Sequence, residues 1–234
     1  MAVNINSVYQ KVLALLNKEQ RGYLTPQEFN LLADRAQNEI YENYFHQIRN
    51  SNAKIKDDDT HTDTLEMIEA KLSSFLKSET NTNVSSGVMT LPTDLYKLDI
   101  VKVGTNLTTE VNKKEEHFIT SLGETGSVLY PTSNRPIFTR TSSTTIRITP
   151  SPTNSSSCTV NYYKAPTTPS WGYVVVNEKA LYNINTSVNF ELAESEEEPL
   201  VSRILMLSGV VTKQQDVGQV GANAIQMTNQ EQNS

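Results

Sequence analysis

Leu91-Pro92-Thr93-Asp94-Leu95-Tyr96, running on through Lys97 to Val103, is where this 234-residue chain changes its hydrophobic period. Before this stretch, apolar residues recur at three- and four-residue steps, the spacing of one helix face. After it they alternate with polar residues in short runs separated by prolines. Proline has no N–H to donate and pushes the residue before it toward extended backbone. Leu91-Pro92 therefore ends any helix arriving from the N-terminal side, and Tyr96 to Val103 reads as a strand. The switch predicts an α+β chain.

On the N-terminal side, Ile5, Val8, Tyr9, Val12, Leu13, Leu15 and Leu16 form a helical stripe within residues 4–20, and Gly22 breaks it. Thr25-Pro26-Gln27-Glu28 is a helix start: threonine as cap, proline at the first helical position, glutamate positioned to reach back. The helix it opens carries Phe29, Leu32, Ala33, Ala36, Ile40, Tyr44, Phe45 and Ile48, and is expected to fade near Asn50. After a polar segment through Asp57-Asp58-Asp59, Leu65, Ile68, Leu72, Phe75 and Leu76 predict a third helix starting near Thr62 or Asp63.

On the C-terminal side, Thr144 to Thr149 and Cys158 to Tyr163 alternate in polarity and predict strands. Tyr173-Val174-Val175-Val176 and Ser187-Val188-Asn189-Phe190 are further strand candidates. Short strands with Pro- and Ser-rich turns suggest a small antiparallel sandwich or barrel. Helix returns at Ser195-Glu196-Glu197-Glu198, a second capping-box pattern, and Val201, Ile204, Leu205, Leu207 and Val211 continue it. The expected organisation is a helical bundle over 1–86, a β-rich domain over 87–192, a C-terminal helix over 193–216 that rejoins the bundle, and a flexible tail over 217–234.

Ser, Thr and Asn number 22, 26 and 22, and this polar, charge-poor composition is one of contact surfaces more than of metabolic enzymes. The longest apolar run, Ile204 to Val211, is too short for a membrane span, and the N-terminus has no basic-then-apolar leader pattern. The expectation is a soluble protein without a membrane partner. One cysteine, Cys158, excludes an internal disulfide and a cysteine zinc site. The 20 basic and 26 acidic residues give a net charge of −6, against general nucleic-acid binding. That charge is segregated: 125–177 contains no acid and carries Arg135, Arg140, Arg147 and Lys164, so the remainder carries −10.

The motifs of chemistry are thin. Asn17 to Glu28 can be laid on a twelve-residue calcium loop, with Gly22 sixth and Glu28 twelfth, but Arg21 occupies a ligand position. The simpler reading makes Gly22 a turn residue and Thr25 and Glu28 caps. Asp57-Asp58-Asp59 with His61, and Glu115-Glu116-His117, are adjacent acids with nothing to set a ligand geometry, and His46 reads as a packing or surface residue. No nucleophile elbow, phosphate-binding glycine loop or zinc-protease motif occurs. No enzyme activity, cofactor or metal is expected.

Five glutamates crowd Glu191 to Glu198. A helix N-terminus favours negative charge, which accounts for one or two of them, with Ser195 as cap. The surplus at Glu194, Glu196, Glu197 and Glu198 is a candidate surface for meeting Arg135, Arg140 and Arg147 of a neighbouring copy. Unlike patches on one chain favour head-to-tail contact, which closes into a ring or continues as a filament.

Several segments resemble a family. Asn17 to Asn30, with Ala36-Gln37-Asn38-Glu39-Ile40-Tyr41, is similar to the N-terminus of virion proteins from crAss-like phages. Leu91 to Tyr96, Arg135-Pro136, Ile146 to Pro150 and Val160 to Pro166 resemble the β domain of head–tail connector and tail-tube-ring proteins of short-tailed phages. So does Asn189-Phe190-Glu191-Leu192 leading into Leu200 to Val210. The resemblance implies a helical bundle carrying a β-sandwich, in a ring of about a dozen copies below the portal. Such a ring continues the DNA channel and links portal to tail. Its partners would be further copies, the portal protein and adjacent ring proteins, with DNA only as passing cargo. It would be made in the host bacterial cytoplasm and end in the virion neck, with no catalytic residues. The alternatives are a capsid decoration or receptor-binding virion protein, and a calcium-dependent or hydrolytic protein.

Overall fold

The structure is a computed structural model that describes residues 2–18, 24–54, 61–81, 84, 87–104, 109–115, 118, 130–152, 157–211 and 226–227. It is mixed α+β and divides into two compact units, Met1–Ser74 with Pro166–Ser234, and Phe75–Ala165. Gly22, Asp57 to Asp59, Glu116, His117 and nearly all of 217–234 lie outside the described residues.

The first unit is built on four helices: α1 (Ile5–Lys18), α2 (Pro26–Lys54), α3 (His61–Leu72) and α4 (Glu197–Val211). Asn4 caps α1, its side-chain oxygen accepting from the amides of Asn6 (2.8 Å) and Ser7 (3.2 Å). The expected stripe is buried at Ile5, Val8, Tyr9, Val12 and Leu16. At α2 the capping box is formed in both directions. The Glu28 amide donates to Thr25 Oγ1 (3.3 Å), and the Thr25 amide donates back to Glu28 Oε2 (2.9 Å). The buried face of α2 runs Phe29, Leu32, Ala33, Ala36, Gln37, Ile40, Tyr41 and Tyr44. Helix α4 packs on α1 and α2 through Leu200, Val201, Ile204 and Leu205, and α3 packs on α2.

Three sequence expectations are corrected. Helix α2 continues past Asn50 to Lys54. Helix α3 ends at Leu72, where the Ser73 and Ser74 hydroxyls donate to the Ala70 and Lys71 carbonyls (2.7 and 3.2 Å). A single 3₁₀ turn, Ser73–Phe75, follows, and Leu76 opens a strand instead of extending the helical stripe. Ser195 does not cap α4. A 3₁₀ turn, Glu194–Glu196, headed by Ala193, precedes the helix, and Ser195 sits inside that turn.

The second unit holds two four-stranded sheets. One has the order β1 (Leu76–Asn81), β8 (Cys158–Lys164), β3 (Leu95–Val103), β4 (Thr109–Glu110). The other runs β2 (Val88–Thr90), β7 (Thr145–Thr149), β6 (Ile137–Arg140), β5 (Asn112–Lys113). All pairings are antiparallel except β5 with β6. Inward residues of both sheets share one core, including Met89, Val101, Val103, Phe138, Ile146, Ile148, Val160 and Tyr162. Among the described residues this is a small sandwich with no closed barrel, one of the two forms expected of the alternating strands. Gly87 permits it: at φ +73, a Cβ there would meet the Ile148 carbonyl oxygen at 2.6 Å.

The domain boundaries differ from the sequence expectation. The sandwich begins at Phe75 rather than 87, and it ends at Ala165 rather than 192. The physical reason is a set of polar anchors on the helices. Gln37, fully buried, donates to the Thr167 carbonyl (2.9 Å) and accepts from the Glu191 amide (3.1 Å). Asn30 brackets Trp171, accepting from its amide (2.7 Å) and donating to its carbonyl (3.3 Å). These bonds bind 166–192 to the helical unit, and no hydropathy period announces them.

Candidate functional site

The candidate interface residues are reached from the strands and helices that position them. In β7, Ile146 and Ile148 point into the sandwich core, so Arg147 between them stands outward and exposed. Arg140 is paired with Ile146 while Arg147 is paired with Thr139, which places the two arginines on opposite faces of the sheet. The Arg140 guanidinium folds onto its own β6–β7 turn, donating to the carbonyls of Ser142 (3.2 Å) and Ser143 (2.8 Å). Arg135 is exposed in a turn, its amide donating to the Thr132 carbonyl (2.9 Å). The three arginines therefore do not form one basic patch on this sheet, and Arg147 has the outward position on β7.

The glutamates are largely consumed inside their own unit. Glu196 is buried, with its carboxylate 2.6 Å from the Lys71 ammonium. Burial first, and then the neighbouring Glu196 charge, push the Tyr44 hydroxyl above its ordinary pKa of 10. Lys71 also lies over the Tyr44 ring, 5.9 Å from its centre. Glu197 accepts from the Ser7 hydroxyl (2.5 Å) and lies 3.4 Å from Lys11, which also meets Glu198 at 2.5 Å. The hydrogen bond to Glu198 is the chief cause raising the Lys11 pKa. Three of the four glutamates thus tie the start of α4 to α1 and α3, and Glu194 stands exposed. Surplus charge for a helix N-terminus is here a clamp between helices.

Glu28, the twelfth position of the calcium-loop reading, receives both the amide and the hydroxyl of Thr25 (2.9 and 2.7 Å), the hydroxyl bond being the chief cause lowering its pKa. Among the described residues, no group of three or more His, Cys, Asp or Glu is placed to hold a metal ion. No helix among them is long and apolar enough to cross a membrane.

Sequence reasoning missed the surface that stands out most. Among the described residues, Tyr173–Val176 (β9) and Lys179–Tyr182 (β10) pair only with each other, as a two-stranded hairpin. Its turn residues Asn177 and Glu178 both have positive φ (50 and 62), the two-residue turn whose twist matches a hairpin. The base is fixed to the helical unit. Buried Trp171 stacks on Tyr9 (4.2 Å between ring centres) and on Tyr173 and Tyr182 (5.8 Å each), while its indole N–H donates to Asn6 (3.0 Å). Gly172 is required there, since a Cβ would meet the Thr186 carbonyl carbon at 2.6 Å. Beyond this base the ribbon is apolar and open, with Val175 63% and Leu181 52% exposed. A run of three valines ordinarily signals a buried strand, so only tertiary placement reveals this exposure. The other strand candidate, Ser187 to Phe190, makes one bridge, Ser170 with Val188, and its Asn189 accepts from the Ile5 amide (3.1 Å).

The fold defines a two-unit α+β chain, and several of its exposed large apolar side chains stand on the β9–β10 hairpin. No protein-family profile matches the chain, and no curated protein matches its sequence.

Proposed function

We propose that the chain is a structural subunit of a ring in the neck of a tailed phage, joining portal to tail and continuing the DNA channel. The observation that carries the reading is the division of charge between the two units. The helical unit holds 11 basic and 19 acidic residues, net −8, and the sandwich holds 9 and 7, net +2. Unlike units on one chain suit a contact in which one copy's helical unit meets the next copy's sandwich, and a repeated unlike contact closes into a ring. The resemblance of Leu91 to Tyr96, Ile146 to Pro150, and Asn189 to Leu192 with Leu200 to Val210, to connector and tail-ring proteins supports the same role. On this reading the protein works by geometry, in about twelve copies per particle, with the portal and adjacent rings as partners and DNA as cargo.

The test is the protein's position and copy number in purified virions, by cryo-electron microscopy and quantitative mass spectrometry. A ring at the neck with about a dozen copies is expected. Hundreds of copies over the capsid would mean a decoration protein, and absence from the particle would end the proposal.

A further inference from the structure

We propose that the β9–β10 hairpin is the element by which one copy grips a second copy of this chain, docking against the β2 edge of that copy's sandwich. The proposal rests on the ring reading above and names the surfaces that make its contact.

An isolated two-stranded ribbon is marginal in water, and this one carries apolar side chains on both faces. The cross-strand pair Val174 and Leu181 lies on one face, and Val175 with Ala180 on the other. Val174, Val175, Val176 and Leu181 are all between 46% and 63% exposed, and Ile184 beside the base is 73% exposed. Among the described residues both outer edges of the hairpin lack a strand partner. Val174, Val176 and Leu181 share one face and Val175 lies on the other, so each face leaves apolar side chain in water. Apolar side chains left open beside unpaired strand edges suit a macromolecular occupant.

Charge selects the occupant. The turn presents Glu178, exposed, followed by exposed Lys179 at the start of β10, and the ribbon belongs to the net-negative unit. On the net-positive unit, β2 is the outermost strand of its sheet. Its Val88, 41% exposed, sits directly across from the outward Arg147 of β7. Val88 at the edge, with Arg147 beside it on β7, offers the valines an apolar contact and Glu178 a cation. Both halves are on every copy but on different surfaces, so the contact is head-to-tail and repeats.

The experiment is sedimentation equilibrium of the full chain up to about 1 mM at low and moderate salt. Wild type is expected to self-associate, more weakly as salt rises. Val175→Asp with Leu181→Asp should weaken association by about tenfold or more, as should Glu178→Lys alone or Arg147→Glu alone. Combining Glu178→Lys with Arg147→Glu should restore most of the wild-type affinity, a rescue that general loss of structure cannot produce. Substitutions at these exposed sites should leave the Trp171 fluorescence unchanged. Wild type that stays monomeric throughout, or a charge-reversed pair with no rescue, overturns the inference. Neck rings that form normally with the hairpin variant would sink the hairpin and leave the ring reading standing. Rescue in solution from a protein found elsewhere in the particle would do the reverse.

Discussion

Replacing Lys71 by methionine keeps the aliphatic stem and deletes the ammonium, leaving the Glu196 carboxylate inside the helical unit without its cation. Glu196 and Lys71 side chains are 5% and 21% exposed, and their charged atoms are 2.6 Å apart. Water can therefore solvate little of the abandoned charge. Breaking one side of a buried pair costs about 3–5 kcal/mol, and the partial exposure of Lys71 places the loss near about 3 kcal/mol. The lost cation–π contact with Tyr44 acts in the same direction. Trp171 is the chain's single tryptophan, buried in the helical unit, so its fluorescence in a urea titration reports on that unit. With a slope of about 2 kcal/mol per molar urea, the midpoint should fall by about 1.5 M. Glu196→Gln alone should also destabilise. The double variant should cost clearly less than the two single losses together, since no unpaired charge remains. Additive losses, or a Lys71→Met cost below about 0.5 kcal/mol, would show that the pair is effectively solvated and does not clamp α3 to the start of α4.

Three further outcomes follow from the same structure. Thr25→Ala removes one half of the capping box of α2 and should cost about 1 kcal/mol in the Trp171-monitored transition, while Thr25→Ser should cost much less. Asp94 accepts from Lys77 (2.7 Å) and the Tyr162 hydroxyl (2.8 Å), and the Lys77 bond is the chief cause holding its carboxyl below the usual 3.8. A lowered folded pKa stabilises above 3.8 and loses that contribution as pH falls through the folded value. Lys77→Met should therefore flatten the acid limb of sandwich stability and move the Asp94 titration upward by NMR. Cys158 is fully buried in the sandwich core and its thiol is pushed up to about 11 by burial. A thiol reagent at pH 8 should label it only as fast as the sandwich opens, giving a probe of that unit independent of Trp171; rapid labelling of the folded protein would contradict the placement.

The elements that were legible in the sequence are those whose signal is local. Thr25 and Glu28 are three residues apart and satisfy each other within one turn, so the start of α2 could be read without any tertiary knowledge. The stripes of α1 and α2 and the alternation of β7 and β8 are likewise properties of short windows. The α3 stripe misled at Leu76 because Phe75 and Leu76 continue a helical spacing, while the backbone is released by the hydroxyls of Ser73 and Ser74.

What the sequence determined by itself is the α+β class, the run of helices then strands then helix, and the concentration of cations and acids in separate regions. Each follows from residue order within a few turns of chain. What only the tertiary structure decided is ownership and exposure. Gln37 and Asn30 claim residues 166–192 for the helical unit across more than a hundred residues of sequence. Lys71 and Lys11 take up glutamates that looked available for a partner. Val174 to Val176, which read only as a strand, stand in water because Trp171 fixes only the base of their hairpin. A side chain's type records what it can bond to; which group arrives, and whether water does, depends on the packing of chain far away.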